Sequence, residues 1–151
     1  MVATVDKTVG GPGPAAEGFA PRRIVRYRLD MRKVLPGNGD TIKAFNVSAG
    51  TLARFIGINV LQAEGATLTV DIGDGDTANG YANDLTLNTA GFAVPAFTLT
   101  EGTPNTVAGF GAGKLYTVDD TIDLLVNQAA ADTAVADLFF EFINLASGPA
   151  L

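Results

Sequence analysis

From Thr67 to Ile72 the chain alternates cleanly, with Leu68, Val70 and Ile72 on one side and Thr67, Thr69 and Asp71 on the other. Period-two patterning places a row of apolar side chains on one face of a sheet. The preceding stretch sets Leu52, Arg54, Ile56, Ile58 and Val60 against Ala53, Phe55, Gly57, Asn59 and Leu61, a longer strand apolar on both faces. Between the two runs lies Gln62-Ala63-Glu64-Gly65, short, polar and Gly-bearing, which predicts that Leu52–Ile72 is a hairpin.

The same pattern recurs along the chain. Ile24 to Lys33 predicts a strand with Val25, Tyr27, Leu29 and Met31 on one face and Arg26, Arg28 and Asp30 on the other. Pro36-Gly37-Asn38-Gly39-Asp40 is a strong turn signal, followed by a strand over Thr41 to Val47 and a Ser48-Ala49-Gly50 turn. Short strands are expected over Asp84 to Asn88 and over Phe92 to Leu99, the latter confined to a sheet edge by Pro95. Thr121 to Asn127 turns Ile122, Leu124 and Val126 inward and Asp123 outward. In Val135 to Leu145, Leu138, Phe140 and Phe142 alternate with Asp137, Phe139, Glu141 and Ile143; the aromatic content favours a strand over a helix. Residues 1–21, by contrast, hold Gly10-Gly11-Pro12-Gly13-Pro14 and close with Gly18-Phe19-Ala20-Pro21. Such a stretch buries too little apolar surface to offset its ordering entropy, and is expected to be a flexible N-terminal arm, disordered or ordered on a neighbour through Phe19.

About eight strands, separated by regular turn signals and without a long helix, predict an all-β fold. The expected architecture is an antiparallel β-sandwich, jelly-roll-like, over residues 22–151, preceded by an extended N-terminal arm. With 151 residues one domain can bury a core of ordinary size, and no staple is needed. None is available either, because the chain has no Cys. His is absent as well, which removes the commonest general base and the commonest metal ligand. An enzyme is not expected. A carboxylate-pair glycosidase built from Asp119, Asp120, Asp123 or Glu141 is the one catalytic arrangement to weigh, and acids on outward strand faces need no such explanation. No apolar run reaches the length of a membrane-spanning helix, and the N-terminus lacks the apolar core of a secretion signal.

Charge is segregated. Residues 1–63 carry nine Lys or Arg against four acids, a net of +5, whereas residues 64–151 carry Lys114 alone against twelve acids, a net of −11. An acidic total of −6 argues against a nucleic-acid partner. The segregation implies either oppositely charged strands paired within one fold or complementary patches between subunits. Arg22, Arg23, Arg26, Arg28, Arg32 and Lys33 place six cations within twelve positions, and the first four are candidates for partner binding. Phe110, between Gly109 and Gly111 in a Gly/Thr/Pro-rich loop, is a further contact candidate, with tucking back onto the domain as the alternative. The loop Gly73-Asp74-Gly75-Asp76-Thr77-Ala78-Asn79-Gly80 offers hard oxygen donors in Asp71, Asp74, Asp76 and Asn79, the one candidate site for a cofactor, calcium. Its spacing is not that of a helix–loop–helix calcium site, since Ala78 breaks the carboxylate series and no acid stands twelve positions beyond Asp74. An Asp/Gly-rich turn accounts for the same residues.

One resemblance bears on function. The runs Arg26-Tyr27-Arg28-Leu29-Asp30-Met31, Gly39-Asp40-Thr41-Ile42, Gly57-Ile58-Asn59-Val60, Thr69-Val70-Asp71-Ile72-Gly73-Asp74-Gly75 and Asp119-Asp120-Thr121-Ile122-Asp123-Leu124 resemble, over about residues 24–145, small β-sandwich structural proteins of tailed bacteriophages. Those proteins decorate or cement heads, or sit in tails. The resemblance implies a virion protein on the head exterior, assembled in the host cytoplasm and oligomeric, most often trimeric. Its partner would be the major capsid protein, and no catalytic residues carry over. The alternative is a calcium-dependent carbohydrate- or receptor-binding sandwich of a tail or adhesin, in which the Asp74–Asn79 loop with Tyr81 and the Phe110 loop would form the site.

Overall fold

The computed structural model describes residues 4–9 (as backbone), 22–65, 67–94, 110, 113–128 and 130–145. Its elements in chain order are β1 (Thr4–Val9), β2 (Arg22–Asp30), α1 (Met31–Val34), β3 (Thr41–Val47), β4 (Thr51–Gln62), β5 (Thr69–Gly73), β6 (Ala82–Thr86), β7 (Gly91–Ala93), β8 (Lys114–Tyr116), β9 (Asp120–Asn127) and β10 (Val135–Asn144). They form two sheets packed as a sandwich. The first has the order β1-β3-β9-β5-β6 and the second β2-β10-β4-β7, with β8 joined to β4. The core eight strands pair antiparallel, as expected, while β1 runs parallel to β3 with Thr4 opposite Thr41 and Val5 opposite Ile42. Thus six residues of the stretch expected to be an arm are a strand of the first sheet; Phe19 and the rest of residues 10–21 lie outside the described residues.

The hairpin expected over Leu52–Ile72 does not form. β4 lies in the second sheet between β10 and β7, and β5 lies in the first between β9 and β6. Alternation reports which face of a strand is apolar, and two strands facing one core from opposite sheets carry the same pattern as two strands of one hairpin. Glu64 anchors the crossing: its N–H donates to the Leu87 carbonyl, 3.0 Å, and its buried carboxylate Oε2 accepts from the N–H groups of Thr133, 3.0 Å, and Ala134, 2.9 Å.

The long strand β4 also breaks parity. Phe55 faces Phe140 and Gly57 faces Phe139 across the ladder, so Ile56 is an inserted bulge residue. Ala53 and Ile58 are therefore both fully buried although their numbers differ in parity. Between the sheets Phe45 from β3 meets Tyr27 (5.6 Å between ring centroids), Phe140 (5.3 Å) and Phe142 (5.5 Å) from the second sheet. Tilted and edge-on pairs of this kind each add about 0.5–1.5 kcal/mol beyond area burial. In β2 the predicted faces hold: Tyr27 and Leu29 are buried, and Arg26 and Arg28 are exposed. The strand stops at Asp30 rather than Lys33, because Met31–Val34 makes one helical turn closed by Leu35 in the left-handed region at φ 49°, its N–H on the Met31 carbonyl. The strand expected over Asp84 to Asn88 instead spans Ala82–Thr86, with Leu87 buried just beyond it. Of the strand expected over Phe92 to Leu99, Gly91–Ala93 is present, and residues 95–99 lie outside the described residues.

Candidate functional site

The expected basic stripe lies on β2, an edge strand of the second sheet that pairs on one side with β10. Arg28 faces Asp137 across the ladder, Arg26 faces Phe139, Ile24 faces Glu141 and Arg22 faces Ile143. Asp137 and Glu141, expected as outward acids, do point away from the core but are buried, because arginines fold over them. Arg28 grips Asp137 with two nitrogens, one at 2.9 Å from Oδ2, and Arg26 stands 3.7 Å from the same oxygen. Glu141 is held by Arg22 Nε on one side and by Arg54 from β4, 3.3 Å away, on the other. Oppositely charged strands within one fold therefore account for part of the charge segregation. Arg23 alternates out of this row and is partly exposed.

The second polar cluster ties the sheets together at the end of β5. Asp74 has a fully buried side chain. Its Oδ1 accepts the backbone N–H groups of Asp76, 3.1 Å, and Thr77, 2.9 Å, and its Oδ2 receives the Lys114 ammonium and the Tyr116 hydroxyl, the latter at 3.2 Å. The Tyr116 and Tyr81 hydroxyls meet at 3.1 Å, and Tyr81 also reaches the Ala53 carbonyl at 3.4 Å. Burial first, and the neighbouring Tyr81 and Asp74 next, push the Tyr116 hydroxyl far above its usual pKa, so it stays a donor; burial raises Tyr81 likewise. For Asp74 burial pulls the pKa upward, but the Lys114 hydrogen bond and the two backbone N–H groups outweigh it, and the carboxyl sits below the usual aspartate value.

Phe110 tucks back instead of projecting. Its ring lies edge-on to Tyr81 at 5.0 Å and 4.8 Å from the Lys114 ammonium, and its N–H donates to the Gly80 carbonyl at 3.1 Å. A Cβ on Gly80 would lie 2.0 Å from that ring, so a residue without a side chain is what lets the aromatic seat there. This aromatic wall around the Lys114–Asp74 pair was not legible in the sequence, where Lys114 stands forty positions away from its partner.

Of the four residues proposed to hold calcium, the structure does not bring all together. Asp71 accepts the Asp84 N–H at 2.7 Å, and the Asn79 amide donates to Asn83 at 3.1 Å. The carboxylate oxygens that do converge, within 4.8 Å of one another, belong to Asp74, Asp76 and Asp120. Asp120 comes from the start of β9 and had no place in the sequence-based set. The acids weighed for glycoside hydrolysis are divided: Glu141 lies on the outer face of the second sheet, while Asp119, Asp120 and Asp123 belong to the first sheet and the turn leading into it. There Asp119 accepts the Ala49 N–H at 2.9 Å and, with Asp120, lines an open polar depression together with Lys43, Asn46, Val47, Ser48 and Thr121.

These features define a two-sheet β-sandwich whose polar clusters are engaged in ion pairs and hydrogen bonds within the fold. No protein-family model and no curated protein matches the chain. Among solved structures it is similar to a chain of the capsid asymmetric unit of cyanophage Pam1, with a TM-score of 0.58 at 16% identity over 89% of this chain and 93% of that one. It is also similar to a chain of the capsid of Ralstonia phage GP4, with a TM-score of 0.51 at 14% identity over 99% of this chain and 100% of that one. At such identities it is the fold that is shared.

Proposed function

We propose that this chain is a non-enzymatic structural protein of a bacteriophage virion, and that it binds the major capsid protein on the head exterior as a decoration or cement protein. The observation that carries this reading is the match of the whole fold, nearly end to end on both sides, to chains of two phage capsids. The strand order supports it: β2-β10-β4-β7 facing β3-β9-β5-β6 agrees with the alternation expected of a jelly roll, an architecture used by viral capsid domains. Engagement of the acids by arginines, Lys114 and backbone N–H groups agrees with a role in which these groups hold shape and no substrate is turned over.

Capsid particles assembled without this chain provide the test. Added protein should co-sediment with them and raise their melting temperature, and the free protein should run as a trimer. Failure to co-sediment would refute the cement role. The calcium-dependent binding module keeps one observation in its favour, the convergence of Asp74, Asp76 and Asp120. Against it, the Lys114 ammonium already supplies the positive charge at Asp74. Calcium should therefore leave the melting temperature of the free protein unchanged. A rise abolished by Asp120→Ala would move the assignment to that module.

A further inference from the structure

The two outer faces of the sandwich differ in chemistry. On the second sheet, Arg22, Arg26, Arg28 and Arg54 surround Asp137 and Glu141, four guanidinium groups to two carboxylates. The arginine side chains remain 47–70% exposed, whereas the carboxylates beneath them are 7% and 5% exposed. What an approaching surface meets is therefore positive, although the chain as a whole carries −6. Apolar groups lie among these cations. Among the described residues, the four exposed large hydrophobic side chains that sit in strands are Ile24, Leu61, Phe92 and Leu115, and all four belong to this sheet. Phe92 lies over Gly57, whose missing side chain leaves it room, beside Phe139 at 6.3 Å. The first sheet differs. Its outward positions include the buried Asp71, the partly covered Asp123 opposite Lys43 and the exposed Asp84, and no large hydrophobic residue of β3, β5, β6 or β9 is exposed.

Building on the cement reading, we infer that the outer face of the second sheet is the surface that seats this chain on its lattice, and that its partner there is a protein surface in which carboxylates alternate with apolar side chains. Charge complementarity selects the partner. Arg26 is held only loosely, at 3.7 Å from Asp137, and Arg22 and Arg54 each engage Glu141 through one nitrogen, which leaves guanidinium N–H groups for incoming carboxylates. Ile24, Phe92 and Leu115 supply the apolar contact that water would otherwise cover. A nucleic acid fits this face poorly, because Asp137 and Glu141 lie in its centre and the apolar side chains would be set against phosphates. The outer face of the first sheet is left away from the lattice.

The test uses full-length protein and capsid particles assembled without it. Wild type is compared with Arg26→Glu and, independently, Phe92→Ser on the proposed face, and with Lys43→Glu on the opposite face as a control of equal charge change. Both proposed-face variants should lose affinity for the particles by about tenfold or more, with wild-type binding weakening as salt rises, and Lys43→Glu should bind as wild type does. Circular dichroism and melting temperature check that each variant is folded; if Arg26→Glu is not, Ile24→Ser replaces it. Wild type that binds while folded proposed-face variants bind equally well would overturn this face and leave the cement role standing. Wild type that does not bind overturns both. Retention of duplex DNA by wild type, lost in Arg26→Glu, would overturn the protein partner.

Discussion

Replacing Asp74 by Ala removes the junction through which the end of β5 in one sheet holds β8 of the other. The carboxylate is fully buried and takes four donors: two backbone N–H groups, an ammonium and a phenol. Deleting one partner of a buried ion pair costs about 3–5 kcal/mol. Lys114 is 22% exposed and keeps the faces of Phe110 and Tyr116 at 4.8 Å, so its stranded charge reaches water and the lower end applies. A loss of about 3 kcal/mol corresponds to a fall in melting temperature of about 6–12 °C for a domain of this size. Asp74→Asn retains an acceptor for the Asp76 and Thr77 N–H groups but sets an amide against the ammonium, and should cost about 2 kcal/mol. Lys114→Met strands a fully buried carboxylate and should cost about 3–5 kcal/mol, and the double variant Asp74→Asn/Lys114→Met less than the sum of its parts, since the two groups act as one unit. The pH dependence has a defined sign. Asp74 is depressed below its ordinary 3.8 in the folded protein, so its contribution is complete above pH 3.8 and disappears as pH falls through the lower folded value. Acid unfolding of wild type should therefore be steeper below pH 4 than that of Asp74→Asn. Thermal melts followed by circular dichroism, at pH 7 and between pH 2 and 5, measure all of this. A melting temperature for Asp74→Ala within 2 °C of wild type, or strict additivity in the cycle, would refute the clasp.

Substitutions centred on three further sites probe groups that the fold treats unusually. Asp123 Oδ1 is buried and accepts no hydrogen bond among the described residues, and burial raises its carboxyl above the ordinary value despite Lys43 nearby. Its stability contribution is present below pH 3.8 and lost as pH rises through the folded pKa, so Asp123→Asn should stabilise by about 1 kcal/mol at pH 7 and by nothing at pH 3, read by urea titration. Glu64→Ala should cost about 2–3 kcal/mol in the same assay by stranding the Thr133 and Ala134 N–H groups, whereas Glu64→Gln, which keeps an acceptor, should cost less than half of that. Gly80→Ala forces a Cβ into the Phe110 ring, and should lower stability by about 1–3 kcal/mol while Phe110→Ala in that background restores little, because the ring's own contact with Tyr81 is lost.

The faces of the longer strands were written in the chain, because a side-chain period of two needs no knowledge of partners, whereas the short strands β1 and β8 were not expected. Ile122, Leu124 and Val126 in β9, Tyr27 and Leu29 in β2, and Leu138, Phe140 and Phe142 in β10 are buried where alternation puts them. So was the class of fold; charge order left open whether basic and acidic strands pair within one fold or between subunits, and only the register of β2 against β10 shows pairing within the fold. Partnership was not written there. The hairpin expected over Leu52–Ile72 fails because β4 and β5 face one core from opposite sheets, and their patterns would look the same in either arrangement. Ile56 reverses the parity of β4 through a bulge that only the register against β10 reveals. The Asp74 loop offered a candidate cation site beside an ordinary Asp/Gly-rich turn, because its acids are close in sequence; that Lys114, forty residues on, pairs with Asp74 only the tertiary structure shows. Local pattern fixes which face of an element is apolar. Which elements meet, and therefore which charges neutralise one another and which are left to face a partner, is decided by the long-range packing of the two sheets.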